Sequence, residues 1–119
     1  MSRAHSDHPA ELDVDSIGGV LAVAVRGALV RGATGPLRTC LDQAIRGRRP
    51  VVLDLTETTV IDGDGIDALM AAHGRLAVRL RVVVERRGPV REKLRAAGVA
   101  HVLLLHGSRA EALAAAAPR

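Results

Sequence analysis

Residues 62–65 read Asp-Gly-Asp-Gly, and two carboxylates beside two glycines are the residues of this chain best suited to chemistry. They lie within TVIDGDGIDALM (59–70), after the apolar run VVLDL (51–55) and before apolar residues at helical spacing. The tetrapeptide therefore stands where a predicted strand gives way to a helix. Acidic residues at such a junction can cap the helix, coordinate a metal ion or serve a phosphate-dependent device.

The spacing around these carboxylates excludes several kinds of site. A calcium loop that started at Asp62 would need an oxygen ligand at its fifth position, Gly at its sixth and Glu at its twelfth, but the chain has Ile66, Asp67 and His73 there. Neither glycine-rich pattern that cradles phosphate is present. Catalysis by paired carboxylates would need further polar groups, whereas the flanking residues are aliphatic.

Other residues with reactive side chains give weaker patterns. Cys40 falls on the apolar stripe of a predicted helix, which indicates a small core side chain rather than a nucleophile. His5, Asp7 and His8 belong to a polar tail, which makes a poor metal site. Three histidines without ligand spacing are predicted to be structural or surface residues: His73, His101 and His106. The sequence therefore predicts no catalytic residue, metal ligand or cofactor.

The chain is basic, with a net charge of +4 and a pI of about 10.9, and Lys93 is its single lysine. Such a charge permits nucleic-acid binding, but there is no Phe, Tyr or Trp to stack on bases and no groove-reading motif. We therefore expect no nucleic-acid partner. Two arginine clusters fall at the ends of predicted elements, where solvated charges are common: Arg46, Arg48 and Arg49, then Arg86, Arg87 and Arg91.

The length of 119 residues predicts one domain, and its core must be aliphatic because aromatic residues are absent. A single cysteine cannot form an intramolecular disulfide. No apolar run approaches the length of a membrane helix, and the N-terminus lacks the apolar core of a signal peptide. These features predict a cytoplasmic protein without a membrane partner, with a flexible tail over 1–9 and the domain over 10–117.

Periodicity predicts nine elements in the order β-β-α-β-α-β-α-β-α. Strands are expected at 11–17, 20–29, 51–55, 80–85 and 101–106. The first helix is expected between Pro36 and Gly47, and the second helix follows residues 62–65, with its end open between Gly74 and Val78. Two more helices are expected from Pro89 to Gly98 and over 109–117.

Strands that alternate with helices predict an α/β fold with a mostly parallel sheet of about five strands and helices packed on it. Gly18-Gly19 predicts a tight turn between the first two strands, which adds an antiparallel edge hairpin. Thr34 is expected to cap the first helix. Val90, Leu94 and Ala97 are expected to form the inward face of the third helix.

Three segments, together with this element order, resemble the STAS domain, the family of bacterial anti-sigma factor antagonists. VRGALV (25–30) is similar to the family's segment before its first helix. VVLDLTETTVIDGDG (51–65) is similar to its signature, and VREKLRAAGV (90–99) to its late helix. The resemblance covers residues 11–117 and implies a non-enzymatic module that regulates transcription by binding an ATPase-like anti-sigma kinase. In that family, phosphorylation at the start of the second helix breaks the contact.

The chain departs from that pattern where the phosphate would be attached. The resemblance places Asp62 on the family's aspartate, Gly63 on its first serine, Asp64 on the phospho-acceptor and Gly65 on its glycine. Because neither position 63 nor position 64 carries a hydroxyl, phosphorylation at the usual site is expected to be lost or altered. Asp64 is expected to cap the helix; whether its charge also mimics the phosphorylated state is left open, since it carries less charge than a phosphate. Thr58 and Thr59 remain as upstream candidate acceptors.

The predicted partner-binding surface centres on residues 62–67, with glycines that let a partner's backbone approach. Its members are Gly27, Val30, Arg31, Asp62, Gly63, Asp64, Gly65 and Asp67. Val30 stands where the family has an aspartate. A homodimer is left open. The alternative role is that of a scaffold or accessory STAS subunit in a stress-signalling or lipid-transport complex.

Overall fold

The first two strands form the antiparallel edge hairpin that the sequence predicts. Strand β1 (Glu11–Ile17) pairs along its whole length with β2 (Val20–Leu29), and Ile17 lies opposite Val20. Gly18 and Gly19 make the two-residue turn with φ of 56° and 85°. A turn in which both central residues have positive φ matches the twist of the flanking strands, and glycine adopts it without strain.

The computed structural model describes residues 10–117, so the predicted tail (1–9), with His5, Asp7 and His8, lies outside the described residues. The further strands are β3 (Val51–Asp54), β4 (Thr58–Ile61), β5 (Leu80–Val83) and β6 (Leu105–His106). The helices are α1 (Gly35–Arg46), α2 (Gly63–Leu76), α3 (Pro89–Ala96) and α4 (Arg109–Ala116). A short 3₁₀ turn, Ala77–Arg79, joins α2 to β5.

Six strands form one mixed sheet within the described chain, and every pairing except that of the hairpin is parallel. The strand order is β1-β2-β3-β5-β6, and β4 pairs with the far end of β2. Strand β2 is ten residues long, so its first half can pair with β3 and its last residues with β4. This predicted α/β architecture, a mostly parallel sheet with an antiparallel edge, is confirmed.

The helices cover both faces of the sheet. On one face, α1, α2 and α3 pack on alternate strand residues such as Val51 and Leu53. On the other face, α4 packs on Val52 through Ala112 and Ala116. Because successive strand residues point to opposite faces, a strand covered on both sides must be apolar throughout, which explains the run VVL in β3.

Two strand predictions were wrong in extent. The strand expected at 101–106 is reduced to Leu105–His106, because the Val99 carbonyl accepts hydrogen bonds from the N–H groups of Val102 and Leu103 and turns the chain. The strand expected at 80–85 ends at Val83. Strand β4 was not predicted, since four residues are too few for an alternation to be recognised.

Two helix predictions were wrong, the burial of Ala97 and the capping bond of Thr34. Ala97 is exposed rather than on the inward face of α3. Cys40 packs against the hydrophobic core as predicted, although it is only half-buried. The end of α2, which the sequence left open between Gly74 and Val78, lies at Leu76, and the next residue, Ala77, has a positive φ of 51°. Thr34 does precede α1, but its side chain makes no capping hydrogen bond. That hydroxyl has a tertiary partner instead.

Candidate functional site

The start of α2 lies at the carboxyl ends of β2 and β4, where these two strands run side by side. Leu29 and Ile61 are paired in register, and the Asp62 N–H donates to the Leu29 carbonyl at 3.4 Å. The loop that leaves β2 therefore runs beside the first turn of α2. This adjacency brings residues 30–34 next to residues 62–65, although they are about thirty positions apart in the sequence.

Asp62, and not Asp64 as expected, caps helix α2. Its Oδ1 accepts hydrogen bonds from the N–H groups of Asp64 at 3.0 Å and Gly65 at 3.1 Å. Its Oδ2 accepts from the Arg31 N–H at 3.0 Å, so the same carboxylate also fastens the loop after β2. The bond from Arg31, and after it that from Gly65, lowers the pKa of the Asp62 carboxyl.

Asp64 is held by two side chains of the first helix region. The Thr34 hydroxyl donates to Asp64 Oδ2 at 3.0 Å, and Arg38 Nη2 lies 3.7 Å from Oδ1. The guanidinium of Arg38 also donates to the Asp64 backbone carbonyl at 3.3 Å and to Thr34 Oγ1 at 3.3 Å. We call Thr34, Arg38 and Asp64 the α1–α2 clamp, because it joins the starts of the two helices.

The clamp was not foreseen in the sequence, which contains only a weak sign of it. Thr34 and Arg38 are four residues apart, the spacing at which side chains meet on one side of a helix. Nothing local indicates that residue 64 lies within reach of them. Because Asp64 occupies the second helical position and Asp62 already accepts the free N–H groups, the carboxylate of Asp64 is available for side-chain partners.

The glycines of this segment have different structural reasons. Gly65 is buried, and a Cβ there would lie 2.4 Å from the Leu29 carbonyl oxygen and 2.6 Å from Ile61 Cγ1. It therefore lets α2 pack against its own β2 rather than letting a partner approach, which corrects that part of the prediction. Gly63 is exposed and a Cβ there would meet nothing.

The predicted surface residues are brought together in part. Arg31, Gly63 and Asp67 are exposed and Val30 is half-exposed, all around the first turns of α2. Gly27 lies apart from them, further back along β2 and opposite Thr58. Its φ of 97° and the register shift after it mark a bulge, so glycine is needed there for the backbone.

Two sequence comparisons test how the chain relates to known proteins. The sequence model of the STAS domain matches residues 11–112. This chain is a member of the STAS domain family. The comparison with curated proteins found no significant match.

Solved structures similar to this STAS domain include proteins described as anti-sigma factor antagonists. The structure of an anti-sigma factor antagonist from Mycobacterium paratuberculosis has a TM-score of 0.79 at 22% identity, covering 90% of this chain and 93% of that chain. SpoIIAA in its unphosphorylated form gives 0.63 at 16% identity, covering 85% and 92%. The phosphorylated form of SpoIIAA, described as a Bacillus cell fate determinant, gives 0.62 at 17%, covering 88% and 96%. At these identities the similarity concerns the fold.

The two upstream threonines of the STAS domain differ in access. Thr58 is buried in β4, and its hydroxyl donates to the Val25 carbonyl at 2.8 Å. Thr59, the next residue, is exposed. A kinase could reach the Thr59 hydroxyl in the folded domain, whereas the Thr58 hydroxyl would have to leave its hydrogen bond first.

The other chemically notable residues do not assemble into a site within the described chain. Between residues 10 and 117, no three His, Cys, Asp or Glu side chains come together as metal ligands would. Burial raises the pKa of the Cys40 thiol, which makes the reactive thiolate scarcer. None of the helices between Ala10 and Ala117 combines the length and apolar composition that crossing a bilayer requires.

Proposed function

We propose that this STAS domain acts by reversible, non-enzymatic binding of an anti-sigma factor of the ATPase-like kinase type. The binding surface would consist of the first turns of α2 and the loop after β2. Membership of the family supports this role, and similar solved structures carry the description anti-sigma factor antagonist. The shape of the surface supports it as well, because Gly63 leaves the outer side of the first turn open.

The rigidity of this surface favours a preformed binding site. Asp62 ties the first turn of α2 to Arg31 through backbone N–H groups, so the two halves of the surface keep a fixed relation. A partner that binds a preformed surface does not have to order it, which preserves affinity. We therefore infer that the loop at residues 30–32 and the turn at 62–65 bind as one unit.

The α1–α2 clamp is the observation that carries our proposal about regulation. A phosphate at position 64 would add a charge of about −1.5 to −2 to the contact surface. Asp64 brings only about −1, and the guanidinium of Arg38 lies 3.7 Å from it with the opposite charge. The pair of Asp64 and Arg38 then has a net charge close to zero. We infer that Asp64 does not imitate the phosphorylated state and that the domain stays competent to bind.

A phosphorylation experiment with a binding readout tests this proposal. The probe is an ATPase-like anti-sigma kinase from the same genome, titrated calorimetrically with this domain before and after incubation with ATP. We expect unchanged affinity and no phosphate within residues 62–66. Asp64→Ser should incorporate phosphate at residue 64, and the phosphorylated variant should then bind the kinase more weakly. Asp15→Ser, which removes an exposed carboxylate from β1, is the matched control and should gain neither.

Two results would contradict the proposal. Phosphate mapped to residues 62–66 of the unaltered chain would show that control at this site persists. Failure to bind any such kinase, together with specific retention by a transporter ATPase or a signalling assembly, would favour the accessory-subunit role instead.

A further inference from the structure

Four arginines gather at the end of the sheet away from the start of α2. Arg46 is the last residue of α1, Arg48 and Arg49 lead into β3, and Arg79 closes the 3₁₀ turn before β5. Strands β3 and β5 are parallel neighbours, with Val51 opposite Leu80, so the segments that enter them lie side by side. We call these four arginines, together with Val78, which precedes Arg79 in the 3₁₀ turn, the basic end.

The guanidiniums of the basic end are partly fixed but carry no ion pair within the described chain. Arg79 Nη1 donates to the Arg48 carbonyl at 3.2 Å, and Arg49 Nη2 donates to the hydroxyl of Ser16. Between residues 10 and 117, none of the four has a carboxylate at ion-pair distance. Asp15, beside Ser16, points to the other face of β1 because side chains alternate along a strand.

Arg48 occupies a backbone position that suits glycine better. Its N–H donates to the Ile45 carbonyl at 3.1 Å and that of Arg49 to the Ala44 carbonyl at 2.9 Å, the two bonds of a Schellman motif. In this motif the residue that donates the shorter-range bond must have a left-handed backbone, and that residue is Arg48, with a φ of 55°. Side chains with a Cβ are strained in this region. The glycine that would adopt this conformation without strain stands one position earlier, at Gly47, and the left-handed position holds the exposed Arg48.

A second strained residue lies beside the same surface. Ala77 has a φ of 51°, and within the described residues Arg48 and Ala77 are the two non-glycine residues with positive φ. Ala77 turns the chain so that Val78 projects into solvent with 66% of its surface exposed, more than any other large apolar residue described. Unfavourable backbone conformations that hold side chains outward are typical of binding sites.

We propose that the basic end is a second interaction surface and binds an acidic segment of a partner protein. The guanidiniums of Arg49 and Arg79, held by a hydroxyl and a backbone carbonyl, present their remaining N–H groups in fixed directions, which suits the paired oxygens of carboxylates. Val78, exposed among them, suits an apolar side chain of the same segment. Duplex DNA presents phosphates along its backbone, whereas its apolar groups, the thymine methyls, lie inside the major groove, away from those phosphates. A membrane surface is bound by mobile cationic side chains that need no such fixing.

The position of the basic end allows it to act independently of the surface at the start of α2. The basic end lies where β3 and β5 begin, whereas Asp62 follows the carboxyl end of β4. Strands β4, β3 and β5 all run in the direction of β2. The two surfaces therefore lie at opposite ends of the parallel strands. An acidic segment bound at the basic end would leave the first surface open to its own partner.

A labelled short peptide that alternates Glu, Leu and Asp is a suitable probe, with a peptide that carries Lys at every acidic position as its counterpart. Fluorescence anisotropy should show saturable binding of the acidic peptide only, weakened by salt. Arg48→Gly and Arg79→Gln should each weaken it about tenfold, as expected for charge-assisted hydrogen bonds. Arg87→Gln removes an exposed arginine after β5, at the other end of the sheet, and should leave affinity unchanged.

Arg48→Gly also separates binding from folding. Because glycine relieves the left-handed strain, this variant should unfold at a higher temperature than the unaltered chain while it binds the acidic peptide more weakly. A lower unfolding temperature would overturn the argument from strain. The proposal itself would be overturned by absent peptide binding, by equal loss in Arg87→Gln, or by tighter binding to phosphatidylserine vesicles or duplex DNA.

Discussion

The α1–α2 clamp leads to a double-mutant prediction that tests whether the charge of Asp64 is held within the protein. The changes are Arg38→Met, which keeps the apolar stem and removes the guanidinium, Asp64→Asn, which keeps the shape and removes the charge, and both together. In the structure, Arg38 Nη2 lies 3.7 Å from Asp64 Oδ1, and the Thr34 hydroxyl donates to the other carboxylate oxygen at 3.0 Å.

The expected energies follow from the exposure of these groups. The side chains of Arg38 and Asp64 are 39% and 37% exposed, so water screens their attraction. Exposed ion pairs contribute about 0.2–1 kcal/mol, and we expect a coupling near the middle of that range, about 0.5 kcal/mol. Each single change should lower the free energy of unfolding by about 1 kcal/mol, since hydrogen bonds of the clamp are lost or weakened with the charge. That loss corresponds to about 4 °C in the unfolding midpoint.

Urea denaturation of the four proteins at low and at high salt measures the coupling directly. The pair Arg95 and Glu92 on α3 is a matched control, because its atoms lie 3.0 Å apart but both side chains are about 70% exposed. Arg95→Met and Glu92→Gln should couple more weakly than the clamp. High salt should reduce both couplings.

A coupling at the clamp no larger than that of the control pair would refute the reasoning. It would mean that Arg38 does not compensate Asp64 and that the carboxylate faces a partner with its full charge. The same variants have a functional readout, because Asp64→Asn should change affinity for an anti-sigma kinase little if the charge is compensated. A large gain in affinity would instead identify Asp64 as a repulsive, phosphate-like charge.

Three further predictions concern packing, pH and access. Gly65→Ala should lose at least about 2 kcal/mol in urea denaturation, because its Cβ would lie 2.4 Å from a β2 carbonyl oxygen, whereas Gly63→Ala should be nearly neutral; equal losses would contradict this account. Burial, and after it a neighbouring arginine, lowers the pKa of His106. Because the unfolded chain then takes up a proton at a higher pH than the folded chain does, the free energy of unfolding should have its full value above about pH 6.5 and should decline below that pH. Calorimetry across that range should show a flatter decline in His106→Gln, and an identical slope would refute the assignment. Thr58→Val should lose about 1 kcal/mol with the buried hydrogen bond, and mass spectrometry should map any upstream phosphate to Thr59 rather than Thr58.

Local patterns were sufficient for much of the fold. The alternation in residues 11–17, the Gly18-Gly19 turn and the apolar run at 51–55 each depend on neighbours in the sequence, and the structure has a strand, a turn and a strand there. The cap of α4 also depends on neighbours in the sequence, because the Ser108 hydroxyl accepts a hydrogen bond from the N–H of Glu111, three residues later, at 3.1 Å. Where these patterns are short or ambiguous, as at β4 and β6, the sequence failed because pairing with distant strands decides them.

Around residues 62–65, too, some features depend on neighbours in the sequence and others on distant contacts. The sequence by itself determined that an acidic, hydroxyl-free junction opens the second helix, because strand and helix periods meet there and position 64 reads Asp. Only the tertiary structure decided which carboxylate caps the helix, why Gly65 must lack a side chain and which side chains lie beside Asp64. Thr34 and Arg38 lie 30 and 26 positions before Asp64, and packing of α1 and α2 on one sheet face brings them within hydrogen-bond distance. Contacts of that kind leave no period in the sequence, since each depends on the relative placement of two elements.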